Sequence, residues 1–229
     1  MSFQELIEKE REQRRTYILD SAEKLFFARG FDTVTMSEIA GDVGLNKATL
    51  YVYFENKDHL LFAIILRRMH ELVDRYEECF DQDIPGREKS RQLGRTFFAF
   101  AQENADYYRM VGAVSPERFR DTDSPLPKRI NELLERQLGM LRDALAEGIE
   151  DGTVRDDLHP LEMAVYLSIL SSSIVCLHPH WANVLEHAGI SHERFVSDYL
   201  LFTANAIDRR DGSSHCSDTA REGRSPGQP

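Results

Sequence analysis

Residues 45–61 read LNKATLYVYFENKDHLL. Three aromatic side chains, Tyr51, Tyr53 and Phe54, fall within four positions, directly behind a run just long enough for two turns of helix. A helix that short is marginal in water, so it has to be held from outside. The residues before it, TVTMSEIAGDVG (33–44), place Glu38 three positions after Thr35. That is a capping box, and it predicts a short helix from Met36. Gly44 ends it, because glycine reaches the left-handed backbone that a tight turn needs. Asn46 predicts a cap for a helix from Lys47, and Asn56 predicts one for a helix from Lys57. Small Ala40 sits where the two short helices approach, Gly44 follows four positions on, and Leu50 anchors the second helix. This is helix-turn-helix spacing. On spacing alone it fits a structural αα-hairpin as well as a DNA reader.

Working outward, helical periodicity continues in both directions. Ile18, Ala22, Leu25 and Phe26 share a face in residues 13–29, with Gly30 placed to end that helix. Leu61, Ile64, Ile65, Met69, Leu72, Tyr76 and Phe80 form the stripe of a long helix after Lys57. DQDIPGRE (81–88) breaks the chain. Further helices follow around Leu93, Phe97, Phe100 and Ala101, around Tyr107 to Val111, and along Ile130, Leu134, Leu138, Leu141, Leu145 and Ile149. Pro160 opens a helix running to about Leu177, since a missing N–H costs little in a first turn. Ser191 caps a last helix with Phe195, Tyr199, Phe202 and Ala206. No segment alternates like a strand. The expected fold is all-α, a three-helix head at 13–58 behind an acidic extension at 1–12, a connecting helix at 59–82 and a larger helical domain at 83–210. The tail 211–229, with three Gly, four Ser and two Pro, reads as disordered.

The totals exclude several classes. A net charge of −11 argues against a protein coated in nucleic acid. Cys79, Cys176 and Cys216 form no CxxC pair, which points to a reducing compartment and no zinc site. The charged N-terminus lacks an apolar signal core, and the longest nearly apolar run, 164–177, carries four serines and is short of the ~20 residues a membrane helix needs. The expected location is cytoplasmic, with no membrane partner. No GxSxG, HExxH, P-loop or GxGxxG is present, so no catalytic residue and no cofactor is expected. HPHW (178–181), with His187 and His192, offers a His-x-His pair but no complete ligand set, and no metal is expected there.

The stretch TVTMSEIAGDVGLNKATLYVYFENKDHLL resembles the DNA-binding head of the TetR family of transcriptional regulators, through Thr35, Ile39, Ala40, Gly44, Thr49, Leu50, Tyr51, Tyr53, Phe54, Lys57, Leu60 and Leu61. The resemblance covers roughly residues 13–65. It extends loosely to the helical remainder, where EDGTVRDDLHPLEMA looks like the turn before the penultimate helix. It implies a sequence-specific, homodimeric repressor that reads a palindromic operator in double-stranded DNA and is released by a small molecule whose binding tilts the fourth helix. A TetR-like activator, or a helical interaction module that has lost DNA binding, stays open. The second has support, because residues 13–58 hold six Lys and Arg against seven Asp and Glu.

In that frame Lys47, Ala48 and Thr49 occupy the first turn of the recognition helix, where side chains reach base edges. Tyr51 and Tyr53 combine an apolar ring with a hydroxyl that can contact phosphate. Lys57 and the amides beside it are expected to hold a phosphate, as are Thr35 and Ser37 one helix earlier. Arg14 and Arg15 are further backbone contacts. Phe97, Phe100, Tyr107, Tyr108, Met110, Leu134 and Leu138 are expected either to line a cavity for an apolar ligand or to be plain core. Small Ala164, Ser168 and Ser171 (with Ser172 beside them), together with Phe195, Tyr199 and Phe202, are expected to pair with a second copy, the two recognition helices then lying about 34–36 Å apart.

Overall fold

Ser2 accepts a hydrogen bond from the Glu5 amide at 3.2 Å, and the Glu5 carboxylate accepts one from the Ser2 amide at 2.7 Å. This capping box starts α1 at Phe3 and carries it to Arg29. The acidic extension is therefore no separate segment but the first turns of α1. Its Glu, Gln, Lys and Arg residues are good helix formers, and Ser-x-x-Glu at 2–5 was the available signal. The computed structural model describes residues 2–80, 83–120 and 124–209. The tail expected to be disordered, Cys216 included, lies outside them.

The chain continues through α2 (Met36–Asp42), α3 (Lys47–Tyr53), α4 (Lys57–Phe80), α5 (Gly86–Glu103), α6 (Ala105–Gly112), a 3₁₀ turn (Pro116–Phe119), α7 (Leu126–Glu150), α8 (Pro160–Val175), α9 (Pro179–His187) and α10 (His192–Ile207). No strand occurs among the described residues, only an isolated bridge between Val154 and Asp208. The caps read from the sequence are in place: Thr35 on α2, Asn46 on α3 at 2.8 Å and Asn56 on α4 at 2.7 Å. Gly44 takes the turn at φ 67°. Helix α9 was not expected, because Pro179 reads as a terminator. Proline also suits the first turn of a new helix, and here His178 caps that turn, its Nδ1 accepting from the His180 amide at 3.2 Å.

Three cores hold the helices together. The first joins Ile18, Phe26, Ile39, Leu50 and Phe54 of the head, through Leu61 to Met69 of α4, to Tyr107 and Met110 of α6 and Leu126, Ile130 and Leu133 of α7. The head is thus continuous with the larger domain rather than closed at residue 58. Fully burying a side chain such as Leu50 or Phe54 contributes about 1.5–3 kcal/mol, so the head depends on this shared interior. The second core holds Leu72, Tyr76, Leu93, Phe100 and Ala144. The third holds Leu145, Val154, Met163, Ala164 and Ile207. Between the last two, α5 and α7 touch backbone to backbone: a Cβ on Gly86 would lie 2.1 Å from the Gly148 nitrogen.

The 3₁₀ turn braces the head from the other side. Arg118 pairs with Asp58 at 3.1 Å and with Asp32 at 3.0 Å, and the Phe119 ring packs on Phe62 at 5.3 Å. Glu23, buried on α1, takes Arg67 at 2.5 Å and Arg68 at 2.8 Å from α4. Burying a carboxylate without such hydrogen-bonded partners would be costly.

Candidate nucleic-acid interface and helical cavity

Helix α3 is too short to stand alone, and the structure shows what holds it. Leu50 and Phe54 are fully buried. The guanidinium of Arg15 donates to the Tyr53 carbonyl at 3.2 Å and lies 4.4 Å over the Phe54 ring. A cation at the last carbonyls of a helix satisfies orphan acceptors and meets the negative end of its dipole. Arg15 therefore clamps the end of α3, and its guanidinium is engaged within the chain. His59 meets the other side of Phe54 edge-on at 5.8 Å. Burial, and then Arg15, hold its imidazole below the ordinary histidine range.

With those residues facing in, Lys47, Ala48, Tyr51 and Val52 face out. Lys47 Nζ is 5.8 Å from the Tyr51 ring. Thr49 is half-buried, its amide and hydroxyl both donating to Asn46 Oδ1 at 2.8 and 3.0 Å. Tyr53 is half-buried at the edge of the same helix. Val52, 70% exposed, is the outward residue that sequence reasoning missed. It lies one turn past Ala48 on the same face, so helical spacing alone could have found it.

Two expected phosphate contacts change roles. Lys57 points inward and donates to the carbonyls of Phe31 at 2.8 Å, Asp32 at 3.2 Å and Val34 at 2.9 Å, with its nitrogen 4.3 Å over the Phe31 ring. An ammonium has three donors, and all three are used to fasten the α1–α2 loop to α4. The Thr35 hydroxyl donates to Glu38 Oε2 at 2.8 Å and accepts from the Glu38 amide at 3.3 Å. That hydroxyl, and then Arg29 at 2.7 Å, hold the Glu38 carboxyl down at about 2. The positive end of α2 is thus already filled by a carboxylate, which disfavours a phosphate at Thr35. Ser37 is exposed.

In the larger domain a cavity of about 610 Å³ opens between α5, α7, α8 and α10. Of the residues expected to line it, Phe97, Leu134 and Leu138 do. Phe100, Tyr107 and Met110 are buried in the cores instead, and Tyr108 is packed edge-on by Phe97, Phe100 and Tyr107. Burial pushes the Tyr107 and Tyr108 hydroxyls well above the usual tyrosine range. Periodicity identifies these aromatics as inward-facing, but it does not distinguish a packed interior from an open one.

The expected pairing residues divide the same way. Ala164 is fully buried in the third core. Ser168, Ser171 and Tyr199 line the cavity, where the Tyr199 hydroxyl meets Ser171 Oγ at 3.0 Å and donates to the Leu167 carbonyl at 3.3 Å. Through Ser171 and the Leu167 carbonyl, Tyr199 joins α10 to α8 within one chain. Phe195 is half-buried and Phe202 is 67% exposed. Other large apolar side chains are also left exposed on these helices: Tyr166, Ile169 and Leu170 on α8, Trp181 on α9 and Leu201 on α10. Of the residues expected to pair, Phe202 is thus among the exposed apolar side chains, while Tyr166, Ile169 and Leu170 of α8 stand between the small residues that were expected there.

Two comparisons of sequence and one of structure bear on this arrangement. Residues 18–64 match the family described as "Bacterial regulatory proteins, tetR family", and residues 65–167 match "YsiA-like protein, C-terminal region". The chain is similar to the fatty acid metabolism regulator protein of Bacillus subtilis, 25% identical over 150 residues that span 66% of this chain and 75% of that one. It is also similar to the transcriptional repressor KstR2 of Mycolicibacterium smegmatis, 25% identical over 205 residues, 88% and 94% of the two chains. In fold it resembles AibR, solved in complex with isovaleryl coenzyme A and operator DNA, with a TM-score of 0.64 at 19% identity over 82% of this chain and 97% of that one.

Proposed function

Because this chain belongs to the TetR family of bacterial regulatory proteins, a family of DNA-binding transcriptional regulators, we propose that it acts as a homodimeric repressor released from a palindromic operator by a small molecule. The observation that carries the reading is the division of α3. Leu50 and Phe54 are sealed in the core while Lys47, Ala48, Tyr51 and Val52 project together. A braced helix that presents a short row of side chains is what major-groove reading requires.

The proposed division of labour gives DNA contact to residues 13–58, transmission to 59–82, and effector binding and pairing to 83–210. Helix α8 supports the pairing. Its apolar residues are spread round the helix rather than gathered on one face, yet only Met163, Ala164 and Ile174 are buried by its own chain. A helix of that composition belongs in an interior, and a second copy of the same face supplies one with two-fold symmetry. The cavity is the effector site, and the named relatives make acyl compounds the first ligands to try. The chain acts by binding, with no catalytic step, in the cytoplasm where its operator lies.

The test is selection of duplexes from a random pool, followed by mobility shifts at two salt concentrations. The expected result is a shift that weakens with salt and disappears in Lys47→Ala and Tyr51→Ala. No enriched sequence and no shift would favour the interaction module. Rising transcription from a bound operator would replace repressor by activator.

A further inference from the structure

The family match begins at Ile18, but α1 begins at Phe3. Residues 2–14 are all exposed, so nothing described in this chain covers the first turns of α1. They are helical all the same, through the Ser2–Glu5 box and unbroken continuity with the buried half of the helix. At 1.5 Å per residue the free stretch is roughly 18 Å long. It leaves the head beside the end of the recognition helix, because half-buried Arg15, the next residue, holds the Tyr53 carbonyl.

Helical geometry sorts the charges of this stretch. Phe3, Ile7, Arg11 and Arg14, spaced four, four and three apart, form one ridge. Glu5, Glu8 and Glu12, spaced three and four apart, form another on roughly the opposite side. Glu10 flanks the first ridge, and among the described residues it pairs with neither arginine. Few other cations of the head are available to phosphates. Arg29 is taken by Glu38, Lys57 by the carbonyls of Phe31, Asp32 and Val34, and Arg15 by the end of α3. That leaves Lys24 and Lys47 within the matched region, and Lys9, Arg11 and Arg14 before it. Among the described residues none of these five has an ion pair. A duplex reader draws much of its affinity from neutralised phosphates, and a helix in the major groove has a phosphate strand on each side. Most of the uncommitted positive charge of the head therefore sits on the first turns of α1 and not in the helix-turn-helix.

We propose that the first turns of α1 are a helical arm that lies on the DNA flanking each half-site. Arg11 and Arg14 meet phosphates, as guanidinium geometry favours. Phe3 and Ile7, 79% and 48% exposed, lie against the sugars of the same strand, and the row of Glu5, Glu8 and Glu12 turns to solvent. Position selects DNA over a lipid surface, which would also attract an apolar and basic ridge. The ridge ends next to the residue that grips α3, so it meets whatever α3 enters. This rests on the DNA reading proposed above and lengthens its footprint by up to about five base pairs at each end, at 3.4 Å per base pair.

The test uses the duplex that the full chain selects, made once with long flanks and once with flanks trimmed to the core site. Affinity is followed against salt by fluorescence anisotropy. On the long duplex, Arg11→Gln combined with Arg14→Gln should make the slope of log affinity on log salt shallower by about 1.8, two phosphates at about 0.9 each. Trimming should bring the wild type to the slope of the variant and leave the variant as it was. Arg11→Lys with Arg14→Lys should keep the wild-type slope, and Glu10→Gln should tighten binding to the long duplex alone. An unchanged melting temperature checks folding. Specific binding with equal slopes in wild type and glutamine variant, or the same loss on both duplexes, overturns the arm and leaves the DNA reader standing. So does an unchanged slope in Phe3→Ser with Ile7→Ser accompanied by loss of the dimer in sedimentation velocity or of binding to phosphatidylglycerol vesicles, which gives the ridge to a second copy or to lipid. No specific duplex binding by the wild type overturns both readings.

Discussion

Replacing Lys57 by Met separates two accounts of the head. Methionine keeps most of the stem and removes the ammonium. In the structure that ammonium donates to the carbonyls of Phe31, Asp32 and Val34 and lies over the Phe31 ring. A hydrogen bond from a charged donor contributes about 1.5–3 kcal/mol, but three bonds sharing one half-exposed charge are weakened by solvent. The contact with the ring adds about 0.5–1 kcal/mol. The carbonyls of Phe31 and Val34, part-buried, would lose a partner. The expected loss of stability is about 2–4 kcal/mol, read from the urea midpoint of the full chain. The second reading of the same variant is operator affinity against salt. If Lys57 fastens the α1–α2 loop, the slope of log affinity on log salt stays as in wild type. If it neutralises a phosphate, the slope falls by about 0.9 and stability is untouched. A stability change under about 0.5 kcal/mol together with a shallower slope would refute the clasp, since a surface substitution away from any such feature falls in that range.

Four other outcomes are expected. Val52→Glu places a carboxylate on the exposed face of α3 and should abolish operator binding in a mobility shift while leaving the melting temperature unchanged. Glu38, whose carboxyl is held at about 2 against 4.5 when free, stabilises the head above pH 4.5 and loses that contribution as pH falls toward 2. Glu38→Gln should flatten the acid side of the melting curve over that window. Gly148→Ala forces a methyl within 2.4 Å of Val154 Cγ2 and should cost about 1–3 kcal/mol by overpacking, measured by urea unfolding. Phe202→Asp should turn a dimer into a monomer in sedimentation velocity with the helical circular dichroism retained, because its side chain faces outward.

The features legible in the sequence were those made by neighbours along the chain. The Thr35–Glu38 box, the Asn46 and Asn56 caps and the turn at Gly44 each close within a few residues, so residue type and spacing determine them. The inward stripe of α4 was legible for the same reason, as was the fact that Leu50 and Phe54 must brace a helix too short to persist; on α7 the stripe was legible only in part, since Leu134 is 51% exposed and Leu133 is buried in its place. Tertiary structure decided what each face meets. Lys57 could be read as a phosphate ligand only until the carbonyls of residues 31–34, far away in sequence, were seen to surround it. Arg15 and Tyr53 are 38 positions apart, and no local pattern pairs them. Phe97 and Phe100 share one helix with the same spacing rule, yet one lines an open cavity and the other fills a core. Periodicity establishes that a helix has an apolar side; whether that side closes on its own chain, on empty space or on a second molecule depends on where the other helices stop.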